Sequence, residues 1–158
     1  MTALQIDDIL NFMKHLLVAD SFDTFLLVQG SVTTYNTFDI DGLIRPDFFG
    51  SDLDVSPLNG YKYTPWKHTK ELVYSLIKGK HTPLSFKFVF HADDLLKKEI
   101  LTNTSSNFNE TTDFVLTLKY DGQKLSAVSG ISTNTFTTDR SADESWDKWV
   151  TSFIQGMQ

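Results

Sequence analysis

An α+β fold is the prediction for this 158-residue sequence, and three observations carry it. Stretches of alternating apolar and polar residues are interleaved with stretches of helical spacing. The interleaving is irregular, unlike the steady strand–helix alternation of parallel α/β folds. Most strand-like stretches are joined by short turn signals of the kind that link antiparallel neighbours. The expected architecture is a mostly antiparallel sheet with three to four helices in one domain, residues 1–158.

Thr2 to Ile6 reads as a short strand. Ile6, Ile9, Leu10, Met13, Leu16 and Leu17 then recur at helical spacing, with Asp7, Asp8, Asn11, Lys14 and His15 on the other side. Acidic residues first and basic residues last suit the helix dipole, so a helix over about 7–18 follows. Residues 22–37 are rich in β-branched and aromatic side chains and predict strand, broken in two near Gly30. Asp41-Gly42 predicts a hairpin turn, and residues 50–60 are turn formers throughout. Pro65 suits the first position of a second helix that runs to about Lys78, with Gly79 as its C-cap. On that helix Lys67, Lys70 and Lys78 fall on one side.

Phe86, Phe88 and Phe90 alternate with Lys87 and Val89, which predicts a strand with the three rings on one face. Residues 93–101 predict a short helix and 103–112 a polar loop. Residues 113–120 and 124–138 form a predicted hairpin turning at Asp121-Gly122. Ser141 with Glu144 reads as a capping box that opens a last helix carrying Trp146, Trp149, Val150 and Phe153 on one face. The order suggests two β-α-β-β units, and Asn36-Thr37-Phe38 and Asn134-Thr135-Phe136 stand at matching places in them.

Composition narrows the function classes. Hydrophobic residues make up 41% and charged residues 22%, so the chain has the means to bury a core. With no cysteine, a disulfide framework, a thiol nucleophile and a Cys-ligated metal are excluded. The acidic start lacks a basic n-region, and no apolar run approaches a bilayer span, so a cytoplasmic setting without membrane contact is expected. The net charge of −6 is uneven. Residues 1–60 hold two basic against nine acidic residues, whereas 61–88 hold six lysines against Glu71 alone. That basic centre also carries Tyr61, Tyr63, Trp66, Tyr74, His68 and His81. Lysines interleaved with aromatics can neutralise phosphates while stacking bases. They equally suit a solvated helix face whose rings point inward.

Catalytic signatures are missing. The sequence holds no G-x-S-x-G, no Walker-type loop, no H-E-x-x-H and no G-x-G-x-x-G. Asp39-Ile40-Asp41-Gly42 imitates a calcium loop without the later acidic ligands. His91 beside Asp93 and Asp94 has the residue types of a metal or acid/base site, while a helix N-terminus accounts for the two carboxylates without any ligand. No motif calls for a cofactor or a metal.

The stretches SFDTFLL (21–27), TYNTFDIDGLI (34–44), LIKGKHTPLSFKFVFH (76–91) and STNTFTTDRSADESWDKWV (132–150) resemble an uncharacterised family of small proteins from anaerobic Gram-positive, chiefly clostridial, bacteria. The resemblance runs over nearly the whole chain and is most specific in 76–91. It implies a bacterial cytoplasmic protein and a stand-alone domain, and brings no activity or catalytic residue with it. In topology alone, the doubled β-α-β-β order resembles one domain of a DNA sliding clamp.

The expected function is a non-catalytic binding or interaction module. Its partner would be nucleic acid or an acidic protein surface, met through residues 61–88 by Trp66, Lys67, Lys70, Lys78, Lys80 and His81. The alternative is a small enzyme with a metal or acid/base site near His91, Asp93 and Asp94. A structural subunit of a larger assembly is the third class, and exposed apolar surface would signal it.

Overall fold

The alternation of apolar residues that predicts strands does its work in one seven-stranded sheet. A computed structural model gives the fold and describes residues 1–102, 112–133 and 139–157. The chain runs β1 (Ala3–Ile6), α1 (Ile9–Leu17), β2 (Phe25–Thr33) and β3 (Thr37–Asp41). Two 3-10 turns follow, Pro46–Phe48 and Gly50–Val55, then β4 (Thr64–Pro65) and α2 (Trp66–Ile77). The remaining elements are β5 (Ser85–Ala92), α3 (Asp94–Thr102), β6 (Asp113–Tyr120), β7 (Leu125–Ser132) and α4 (Ser141–Gln155). The sheet order is β1-β7-β6-β5-β2-β3, with β4 pairing to β2, and each of these pairings is antiparallel. The fold is α+β.

Successive side chains of a strand leave opposite faces, so each strand gives one set of residues to the helices and one to the open side. Phe86, Phe88 and Phe90 are buried while Lys87 is exposed, as the alternation requires. Their cross-strand partners Leu116, Leu118 and Tyr120 are buried too. Buried residues of all four described helices join these strand residues in one core, among them Phe12, Leu16, Val73, Leu96 and Val150. The helices therefore cover one face. Ser31, Lys87, Thr117, Lys119 and Ser126 mark the other, which no helix covers among the described residues.

The core is unusually aromatic, as 13 phenylalanines in the sequence allow. Trp66 sits edge-on to Phe90 at 5.1 Å, and Trp146 lies 5.4 Å from Phe114. Such offset and edge-to-face pairs add to the area they bury. The last helix is integral to this core, with Ala142, Trp146, Val150 and Ile154 buried along it. Trp149 and Phe153 pack against the same cluster from a half-buried position, stacked on one another at 4.8 Å.

Four local expectations are corrected. Gly30 does not break a strand: β2 runs through it, because a Cβ there would lie 2.9 Å from the Phe88 ring and glycine is what lets the two strands close up. Asp41-Gly42 is not a hairpin turn either. The β2–β3 hairpin turns at residues 34–36, and Gly42 lies past the end of β3 with its nitrogen bonded to Val28 O at 2.9 Å. The capping box does not form, since Ser141 is already inside α4 and the Asp139 carboxylate accepts its N–H at 2.9 Å. Pro65 serves as the N-cap of α2 rather than its first residue.

The order β-α-β-β does occur twice, as β1-α1-β2-β3 and β5-α3-β6-β7. Pairing does not repeat with it: β5 lies beside β6, whereas β1 lies beside β7 and far from β2. The matching Asn134-Thr135-Phe136 lies outside the described residues.

Candidate functional site

A cleft of about 540 Å³ opens between α1 and the end of α2. The sequence builds it at two helix ends. At the end of α2, Lys78 turns extended, and Gly79 takes a φ of 139° that only glycine tolerates freely, which carries the chain toward Pro83 and β5. Phe86 and Tyr120, stacked at 5.3 Å across the β5–β6 pair, line its inner end. The walls are apolar and wet: Leu10 is 81% exposed and Val18 65%, with Met13 and Ile77 beside them. Tyr74 stands at the rim with Lys78 Nζ 5.8 Å over its ring. Lys14 and His81 complete the edge, so among the described residues every ionisable side chain lining the cleft other than the two tyrosines is basic. On a chain of net charge −6, that is a local reversal of sign.

The residues singled out in the basic centre do not form one strip. Trp66 is fully buried and its indole N–H donates to Leu16 O at 2.7 Å, closing one of the carbonyls α1 leaves open at its end. Its ring is part of the core. Lys70 is turned against the loop after α1, donating to Ala19 O at 2.9 Å and to Asp23 at 3.2 Å. Lys67 is exposed near the start of α2, on the side of Asp93. Lys78, Lys80 and His81 lie at the other end. The helix stops at Ile77, so the one-sided wheel drawn through Lys78 does not extend that far.

The second group of residues comes together only in part: His91 and Asp94 line one recess, and Asp93 does not. Asp93 accepts the Leu96 N–H at 2.9 Å and so caps α3. Burial pushes its carboxyl above the usual range, against the pull of that bond. Asp94 is exposed in the first turn of α3, where the dipole favours it. His91 points to the open face of the sheet instead. Its Nδ1 is 4.0 Å from Asp113, and Lys97 Nζ reaches the same oxygen at 3.7 Å. The Tyr63 ring meets it edge-on at 5.3 Å. Burial lowers the His91 pKa, which Asp113 opposes and Lys62 and Lys97 reinforce.

His91, Asp94, Asp113, Tyr63 and Lys62 line a recess of about 160 Å³. A neutral imidazole beside a carboxylate can accept a proton. At 4.0 Å, however, Asp113 is not hydrogen-bonded to the ring. Among the described residues no three His, Asp or Glu side chains converge to hold a metal ion. Nor is any described helix long and apolar enough to cross a membrane.

Two participants escaped the sequence reading. Asp113 lies 22 positions after His91 and meets it only through the β5–β6 register. Lys14 joins Lys78 only because α1 packs on α2. No curated protein and no solved structure matches the chain. A family model does match, over residues 15–158. The chain therefore belongs to the family of unknown function DUF5721.

Proposed function

We propose that this protein is a non-catalytic binding module whose cleft between α1 and α2 takes an apolar group bearing negative charge. One observation carries the reading: solvent-exposed aliphatic walls meet a basic rim of Lys14, Lys78 and His81 on an acidic chain. Exposed apolar surface is retained where something covers it. Two lysines beside that surface add attraction for an anion and bias the orientation in which it docks.

Dodecanoate, titrated calorimetrically against dodecanol, is the direct probe. Saturable binding of the acid, weakened about fivefold or more in Lys14→Gln/Lys78→Gln with no change in melting temperature, supports the reading. Absence of saturable binding refutes it. Nucleic acid is the weaker partner class, because Trp66 is buried and Lys70 is engaged by Asp23 and the Ala19 carbonyl. A salt-sensitive oligonucleotide complex lost in Lys67→Gln/Lys78→Gln/Lys80→Gln would reverse that ranking. A bacterial, cytoplasmic setting rests on the resemblance in residues 76–91 and 132–150.

A second reading, an enzyme using His91 as a base, is favoured by the recess that gathers His91, Asp113 and Tyr63. Turnover of nitrophenyl esters or phosphates that His91→Ala abolishes would establish it.

A further inference from the structure

A second patch on the same chain has the opposite character to the cleft. The two 3-10 turns between β3 and β4 put Phe48 at 83% and Val55 at 85% exposure. Between and beside them stand Asp47, Asp52 and Asp54, all exposed. The nearest basic residue, Arg45, is held by Asp41 at 2.9 Å. An exposed phenylalanine and an exposed valine, interleaved with three carboxylates, are the chemistry an apolar cleft rimmed by lysines would select.

The segment does not occupy its own cleft, since Phe48 and Val55 are exposed. It leaves and rejoins the sheet through the Leu43–Tyr63 bridge, and Tyr63 packs on His91 at the far end of β5 and on the open face. The cleft is bounded by Phe86, five residues back along β5, or about 17 Å at 3.4 Å per residue, and lies on the helix face. A complementary pair that stays apart within one molecule can be satisfied between molecules.

We propose that the cleft receives residues 47–55 of a second copy of this chain, with Phe48 and Val55 against Leu10, Met13 and Val18, and Asp52 and Asp54 facing Lys14 and Lys78. The proposal rests on the cleft reading given above and names its occupant. Because the two surfaces differ, the contact is heterologous and joins copies head to tail, closing into a ring or continuing as a chain according to the rotation between neighbours.

The test uses two variants at exposed positions, each damaging one surface: Leu10→Glu in the cleft and Phe48→Asp in the segment. Both residues are more than 80% exposed, so both variants are expected to fold, which circular dichroism checks. Wild type is expected to show a mass in light scattering that rises with concentration, and each variant alone to remain at 18.0 kDa. Their equimolar mixture is expected to stop at a one-to-one pair, since one variant keeps the cleft and the other the segment. A labelled peptide of residues 45–58 is expected to bind wild type and Phe48→Asp, and to bind Leu10→Glu about tenfold more weakly or worse. Rising salt is expected to weaken it further.

A wild type that stays monomeric to high micromolar concentration overturns the proposal, as does a mixture that fails to pair. If dodecanoate still binds in either case, the cleft reading stands and only the occupant is wrong. If neither dodecanoate nor peptide binds, both fall together.

Discussion

Gly42→Ala is the substitution on which the account of β2, β3 and β4 stands or falls. A Cβ at this position would lie 1.8 Å from Leu27 O and 2.7 Å from Leu27 C, both backbone atoms that no rotamer change can move. Restoring ordinary contact means parting the two chains by about 1.5 Å. One hydrogen bond crosses that gap, and two more tie Gly42 to Thr64, which pairs with Leu27 and is displaced with it. Gly42 N–H donates to Val28 O at 2.9 Å, and Gly42 O accepts Thr64 N–H at 2.9 Å and Thr64 Oγ1 at 3.0 Å. At about 1 kcal/mol net each, and more for a buried group left unpaired, their loss costs about 3–5 kcal/mol.

For a chain of this size, that loss lowers the melting temperature by roughly 6–20 °C. Urea unfolding read by tryptophan fluorescence measures it, because buried Trp66 and Trp146 report on the core. Gly130→Ala is the control: nothing lies within 4 Å of its Cβ, and a change within about 0.5 kcal/mol is expected. A Gly42→Ala loss below about 1 kcal/mol would refute the close approach, and with it the β2–β4 junction.

Three further outcomes follow from the packing. Trp146→Ala is expected to cost about 3–5 kcal/mol and Trp149→Ala about half of that, since the first ring is fully buried and the second only partly; equal losses in chemical denaturation would contradict the difference. Ser129→Ala removes a buried hydroxyl that accepts the Thr2 N–H at 2.9 Å and donates to Asp147; a loss of about 1–3 kcal/mol in the same assay is expected, and none would mean the three groups rehydrate. His91 binds its proton less readily folded than unfolded, so its contribution to stability is complete above the unfolded pKa of about 6.5 and is lost as pH falls below it; His91→Gln is expected to flatten the decline between about pH 7 and 5, and an unchanged slope would exclude burial as the cause.

Element types were legible because they depend on neighbours in sequence. The period-two run at Phe86, Phe88 and Phe90 set the β5 faces, and the stripe through Ile9, Met13 and Leu16 marked α1. What failed was local chemistry that tertiary contact overrode. Asp41-Gly42 carries the composition of a hairpin turn, yet glycine is needed there for space beside Leu27 O. The capping box was lost because Asp139, two residues earlier, accepts the Ser141 N–H and Ser141 lies inside α4.

The site was legible only in part, for the same reason. Lys78 and His81 stood out by composition, but pairing them with Lys14 needs the packing of α1 on α2. Trp66 looked like a stacking platform because its sequence neighbours are basic. The Leu16 carbonyl that holds its indole is 50 residues away.

The seating of β1 against β7 carries a consequence for how the chain acquires this fold. Ala3 pairs with Val128, so the first strand has no partner until more than 120 further residues exist. On a ribosome adding about 5–20 residues per second, β1 and the helix behind it wait several seconds beside an incomplete sheet. Loop closure over such a span is entropically slow, and pairings of this kind set the folding rate of β-rich domains. In the interval, the β7-facing edge of β6 and the apolar inner face are open to other chains. Protein released from chains cut within β7 is expected to aggregate rather than fold, and refolding of the full chain is expected to be limited by docking of the first strand.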